Sequence, residues 1–165
     1  MRLDAAQRRA VLGSPAGWIA SGFGSGLSPV APGTAGSLAA LLPWLALREL
    51  PSWWYVALVA LAFVLGTWAS NVVIGRLRIE DPGVIVWDEF VGQWIALMPL
   101  LWIARGWPWI VAGFALFRLF DVWKPWPVSW ADRKVKGGVG VMLDDVLAGL
   151  YAAIALAIAA QFIVS

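Results

Sequence analysis

Trp53-Trp-Tyr-Val-Ala-Leu-Val-Ala-Leu-Ala-Phe-Val-Leu-Gly-Thr-Trp-Ala-Ser-Asn-Val-Val-Ile74 carries no charged side chain. A helix needs about 20 apolar residues to cross the hydrocarbon of a bilayer. This stretch therefore predicts a spanning helix, and a membrane is the expected solvent for its neighbours. Working outward, further apolar runs cover 35–47, 84–104, 109–123 and 144–164. The first of these is short for a full span and could instead be re-entrant. The runs are separated by Pro51, the polar connection 75–83, a turn at Arg105-Gly-Trp-Pro108, the stop Lys124-Pro-Trp-Pro127, and a basic loop over 128–141.

Before the first run, residues 21–37 hold glycines at 22, 24, 26, 33 and 36 with Pro29 and Pro32. Such a composition breaks regular structure, and a helix is expected to restart near Thr34 as its N-cap. Residues 1–12 read as a short surface helix or tail. The expected fold is all-α: a polytopic membrane helical bundle of about five apolar helices, with a Gly-rich non-helical stretch before the first, forming one domain over 1–165.

Composition narrows the chemistry. The chain is 61% hydrophobic and 13% charged, about half the charged fraction of an ordinary soluble domain. It has no cysteine and no histidine. Disulfides, thiolate or imidazole metal sites and a Ser-His-Asp arrangement are thereby excluded. Any metal must be held by oxygen, which suits hard ions such as magnesium. A net charge of +2 gives no argument for nucleic acid. Arg2, Arg8 and Arg9 are not followed by a sustained apolar run, so no cleavable signal peptide is expected.

Charge also gives an orientation. With the N-terminus inside and 35–47 crossing, only Arg48 and Arg105 of the 12 Lys and Arg residues fall on the far side. By the positive-inside rule the near side is cytoplasmic. Of the 10 acids, Glu49 alone lies opposite. Two tryptophan belts are expected, with Trp44, Trp53, Trp54, Trp102, Trp107 and Trp109 at the far ends and Trp18, Trp87, Trp123, Trp126 and Trp130 at the near ends.

Five acids sit beside apolar segments: Asp88 and Glu89, Asp121, and Asp144 and Asp145. Acids at membrane depth are costly and usually functional. Each pair is expected at a helix start, where complementing the helix dipole is the bland reading. Small residues follow one turn later (Gly92, Ala148, Gly149) and share a face with the acids; they are expected to clear space beside the carboxylates. All five are candidate magnesium ligands. Arg118, Asp121 and Lys124 share one helical face, and an ion-pair string is the plain alternative to phosphate binding by the two cations. Arginine suits phosphate geometrically. Thr34 and Ser37, feeding a helix N-terminus, are further candidates for holding an anion. The 133–136 basic run reads as an anchor to anionic lipid.

Four blocks taken together resemble the phosphatidylglycerophosphatase A family: Gly22-Phe-Gly-Ser-Gly-Leu-Ser-Pro29 with Pro32-Gly-Thr-Ala-Gly-Ser37, Ile85-Val-Trp-Asp-Glu-Phe-Val-Gly92, Phe117-Arg-Leu-Phe-Asp-Val-Trp-Lys-Pro-Trp-Pro127, and Gly137-Gly-Val-Gly-Val-Met-Leu-Asp-Asp-Val-Leu-Ala-Gly149. The resemblance implies a magnesium-dependent, multi-pass enzyme of the bacterial inner membrane. Its substrate would be phosphatidylglycerophosphate, its product phosphatidylglycerol, and its active site would face the cytoplasm. Asp88, Asp121 and Asp145 are then the catalytic candidates. Water attack and an aspartyl-phosphate intermediate both remain open. A cation transporter or channel using the same acids is the reading from another class; a soluble all-α domain is a third.

Overall fold

The computed structural model describes residues 3–80, 82–103 and 106–164. Arg2, Asp81, Ala104 and Arg105, which enter the charge and turn expectations, lie outside the described residues. All regular structure among the described residues is helical. A capping box between Asp4 and Gln7 opens α1 (Ala5–Leu12). Ser14 caps α2 (Pro15–Ala20), an unexpected short helix whose signal, a capping serine followed by proline at the first helical position, was present in the sequence.

The glycine-rich segment is irregular only as far as Ala31, apart from one 3₁₀ turn at Ser25–Leu27. Pro32 begins α3 (Pro32–Leu47). The N-cap is Ala31 and not Thr34, because proline at the first position supplies a helical φ and lacks only an N–H that would be unpaired there.

Helices α4 (Ser52–Leu77) and α8 (Gly137–Val164) are the long ones, and Ser52–Leu77 and Gly137–Phe162 are each long and apolar enough to cross a membrane. The expected long run over 84–104 is instead α5 (Trp87–Leu97), 11 residues and about 16 Å. It cannot start sooner because Val86 is engaged elsewhere, its N–H donating to Ala20 O at 2.8 Å. Pro99, which has no N–H to continue the ladder, turns the end into a 3₁₀ segment, Met98–Leu101. Helices α6 (Trp107–Trp123) and α7 (Val128–Lys134) follow, and with α8 starting at Gly137 the expected basic loop over 128–141 is helical except at Val135 and Lys136.

Helix α5 is the axis. All of its residues except Asp88 are buried, and it packs against α3, α4, α6 and above all α8. The surrounding helices turn apolar side chains outward as well as inward, including Leu42, Val64, Val122 and Ile154. An outer surface of this kind matches an apolar solvent. The tryptophans divide differently from the expected belts. Trp44 and Trp87 are buried, and Trp87 Nε1 donates to Ala62 O at 2.9 Å. Trp94 Nε1 reaches Ala40 O at 2.9 Å, while Tyr55 donates to Trp94 O at 2.6 Å. These bonds tie α3 and α4 to α5 through groups that would otherwise be buried without partners.

Candidate active site

Helix α8 begins at Gly137, so Asp144 and Asp145 stand about two turns inside it and not at its start. The helix starts early because α4 docks its first turn. Asn71 Oδ1 accepts from Gly138 N at 2.8 Å, and a Cβ on Gly138 would collide with the Thr67 carbonyl. Asp88 and Glu89 do occupy the first turn of α5. The small residues one turn beyond the acids do not clear space for carboxylates. A Cβ on Gly92 would lie 2.8 Å from Asp145 O, and one on Gly149 would lie 2.5 Å from Gly92 O. The two glycines let α5 and α8 touch backbone to backbone, which carries Asp145 up to Asp88.

The result is one cavity of about 460 Å³ lined by Asp88, Glu89, Asp121, Lys124, Asp144 and Asp145. Six of the sequence-designated residues thus converge from α5, α8 and the C-terminal end of α6. Thr34, Ser37 and Arg118 do not line it.

Two cations share most of the negative charge. Arg118 Nη1 pairs with Glu89 Oε2 and, at 2.8 Å, with Asp121 Oδ2. Ser37 Oγ lies 2.6 Å from Glu89 Oε2 and 3.0 Å from Gly33 O, its single proton serving one at a time. Lys124 caps α6 in the left-handed region, with φ 48°. That turn directs its ammonium to Asp132 of α7 and, at 2.7 Å, to Asp144 Oδ2. Burial works to lower the Lys124 pKa, but the bonds to Asp132 and Asp144 outweigh it and hold the ammonium above its ordinary value. Asp132 was not anticipated. It is embedded in a basic run and separated from Lys124 by Pro125 and Pro127, so no helical spacing links the two.

Asp88 and Asp145 are different. Among the described residues neither has a cation at ion-pair distance. Among the described residues Asp88 Oδ1 accepts only from Glu89 N, at 3.0 Å. Asp145 is 3% exposed, and its Oδ2 has no hydrogen-bond partner. Two neighbouring uncompensated carboxylates and an orphaned buried oxygen fit an oxygen-ligated divalent cation. The fit is one of donor chemistry and unbalanced charge, not of a preformed cage. Among the described residues no three acids already converge in ligand geometry.

Residues 18–160 match the sequence profile of the phosphatidylglycerophosphatase A family. The chain belongs to that family. It is 45% identical to phosphatidylglycerophosphatase A of Escherichia coli K12 over 150 residues, covering 91% of this chain and 86% of that one. It is 44% identical to the Haemophilus influenzae protein of the same name, with 86% of each chain covered. A Bacteroides thetaiotaomicron relative, 47% identical over 86% of this chain and 91% of its own, is provisionally named a phosphatidylinositol-3-phosphatase. No solved structure matches. The family match runs from Trp18 in α2 into α8 and so includes every wall of the acidic cavity.

Proposed function

We propose that this protein removes the terminal phosphate of phosphatidylglycerophosphate to give phosphatidylglycerol, in phospholipid biosynthesis, with magnesium as cofactor. Family membership and the names of the Escherichia coli and Haemophilus influenzae relatives support the reaction. The observation that carries the site is the uncompensated pair Asp88 and Asp145 in a cavity that also presents Lys124.

Magnesium would be held by Asp88 and Asp145, with Glu89, Asp121 and Asp144 beside them. When bound it supplies Lewis-acid polarisation of a phosphoryl oxygen. The chain's own groups do the rest. The Lys124 ammonium offsets phosphate charge and is drawn from Asp144 and Asp132 as the substrate enters. Asp88, partly buried at the cavity wall, takes a proton from the attacking water. The water oxygen bonds to phosphorus, the bond from phosphorus to the glycerol oxygen breaks, and that oxygen leaves as the alcohol by taking up the proton that Asp88 removed.

The apolar outer surface and the charge asymmetry support a multi-pass protein of the bacterial inner membrane, with the cavity facing the cytoplasm. In this arrangement α3, α4, α6 and α8 cross, and α5 with its 3₁₀ extension makes the fifth, encased passage. Phosphate release from phosphatidylglycerophosphate by purified protein, after chelation and with magnesium restored, tests the reading. Phosphatidylinositol 3-phosphate serves as the parallel substrate. Release from phosphatidylglycerophosphate that needs magnesium is expected. A protein that transports cations and releases no phosphate under any metal condition would sink it.

A further inference from the structure

We propose that Ser37 and Arg118 are positioning residues, which fix Glu89 and Asp121 from behind the cavity wall and do not touch the substrate phosphate. The proposal rests on the reading above for what the cavity does, and its geometry is independent of it. Ser37 is fully buried in α3, yet its hydroxyl is 2.6 Å from Glu89 Oε2. Arg118 Nη1, with two protons to donate, has three acceptors within reach: Glu89 Oε2, Asp121 Oδ2 at 2.8 Å, and Ser37 Oγ at 3.2 Å. Both carboxylates face the cavity, while Ser37 and Arg118 stay outside its lining.

Gly33 completes the socket. A Cβ there would collide with Glu89 Oε1 and lie 3.4 Å from Arg118 Nη1. One oxygen of Glu89 is thus tethered by two donors and the other is pressed against the bare backbone of α3. A carboxylate so held has one orientation. The group of one guanidinium and two carboxylates keeps a net negative charge, which favours a cation in front of it over an anion. An arginine engaged in this way is not free to grip a phosphate unless it releases two acids. Supporting partners behind ligand carboxylates typically change metal affinity or activity by 10- to 100-fold on removal.

The test compares Ser37→Ala, Ser37→Thr and Arg118→Gln with the intact protein in detergent. Turnover of phosphatidylglycerophosphate, inhibition by inorganic phosphate, and Mn²⁺ binding by electron paramagnetic resonance without substrate are measured. Ser37→Ala is expected to lower kcat about tenfold, with KM and phosphate inhibition within about twofold of the intact protein. Mn²⁺ binding should weaken several-fold, Ser37→Thr should restore both properties, and Arg118→Gln should follow Ser37→Ala with a larger loss. A tenfold rise in KM and weakened phosphate inhibition at unchanged kcat would mean direct substrate contact and overturn the proposal. Unchanged kcat and Mn²⁺ binding would overturn it equally. Where Ser37→Ala fails to fold, Ser37→Cys is read on the same axes. An intact protein that releases no phosphate would refute the proposed reaction, and the Mn²⁺ comparison would still decide the positioning role.

Discussion

Gly92 of α5 and Gly149 of α8 meet so closely that a methyl on Gly149 would sit 2.5 Å from the Gly92 carbonyl oxygen. The same contact sets how near Asp145 comes to Asp88. Gly92→Ala and Gly149→Ala should each destabilise the protein by about 1–3 kcal/mol through overpacking. They should also lower phosphate release by about tenfold or more, since a slight helix displacement moves a reacting group off its geometry. Thermal unfolding in detergent and turnover check both parts. Gly75→Ala is the control: a Cβ there meets nothing within 4 Å, so it should be neutral or slightly stabilising.

Asp88→Asn and Asp145→Asn remove the two uncompensated charges. Each should lower kcat by about 100-fold or more, the scale seen when a transition-state electrostatic contact is lost. Asp121→Asn should also reduce turnover and leave Arg118 with Glu89 as its remaining carboxylate partner at ion-pair distance. Near-normal turnover by all three variants would remove the site.

Lys124 gives a pH signature. Its folded pKa is raised above the ordinary lysine value by Asp132 and Asp144. The stability this contributes is fully present below the unfolded pKa of about 10.4 and is lost as pH rises through the folded pKa. The Tm difference between the intact protein and Lys124→Met should therefore be flat from about pH 8 to about 10, where the carboxylate partners are ionised, and narrow above that. A narrowing that begins between about pH 8 and 10 would contradict the pairing. Lys124→Met should also raise KM for phosphatidylglycerophosphate.

Asn71 caps the start of α8 from the neighbouring helix by accepting from Gly138 N. Asn71→Ala should cost about 1 kcal/mol, the usual worth of such a cap. Asn71→Asp, which keeps the acceptor oxygen and adds a negative charge at a helix N-terminus, should preserve stability. Chemical unfolding of the two variants, compared at equal detergent concentration, is the check.

Several features were legible because they depend on residue type alone. The charge-free run 53–74 reads as a long helix suited to an apolar environment, and the matched blocks named the acids that share the cavity. Helix ends were legible where a local rule governs them, as at Ser14-Pro15 and Asp4. The buried α5 was not. In an apolar solvent a helix is greasy on its outer and inner faces alike, so a run such as 84–104 reads the same whether it spans a bilayer or stops after 11 residues inside a ring of other helices. Ion-pair choice was hidden for a related reason. Arg118, Asp121 and Lys124 share a helical spacing, and Arg118 does pair with Asp121 one turn on, yet Lys124 turns through a left-handed cap to Asp132 and Asp144, and Arg118 also reaches across to Glu89 and Ser37. By itself the sequence determined an all-helical, apolar chain with its acids grouped by segment. Only the tertiary structure decided which acids are neutralised and which are left open, because that depends on how closely Gly33, Gly92 and Gly149 allow separate backbones to approach.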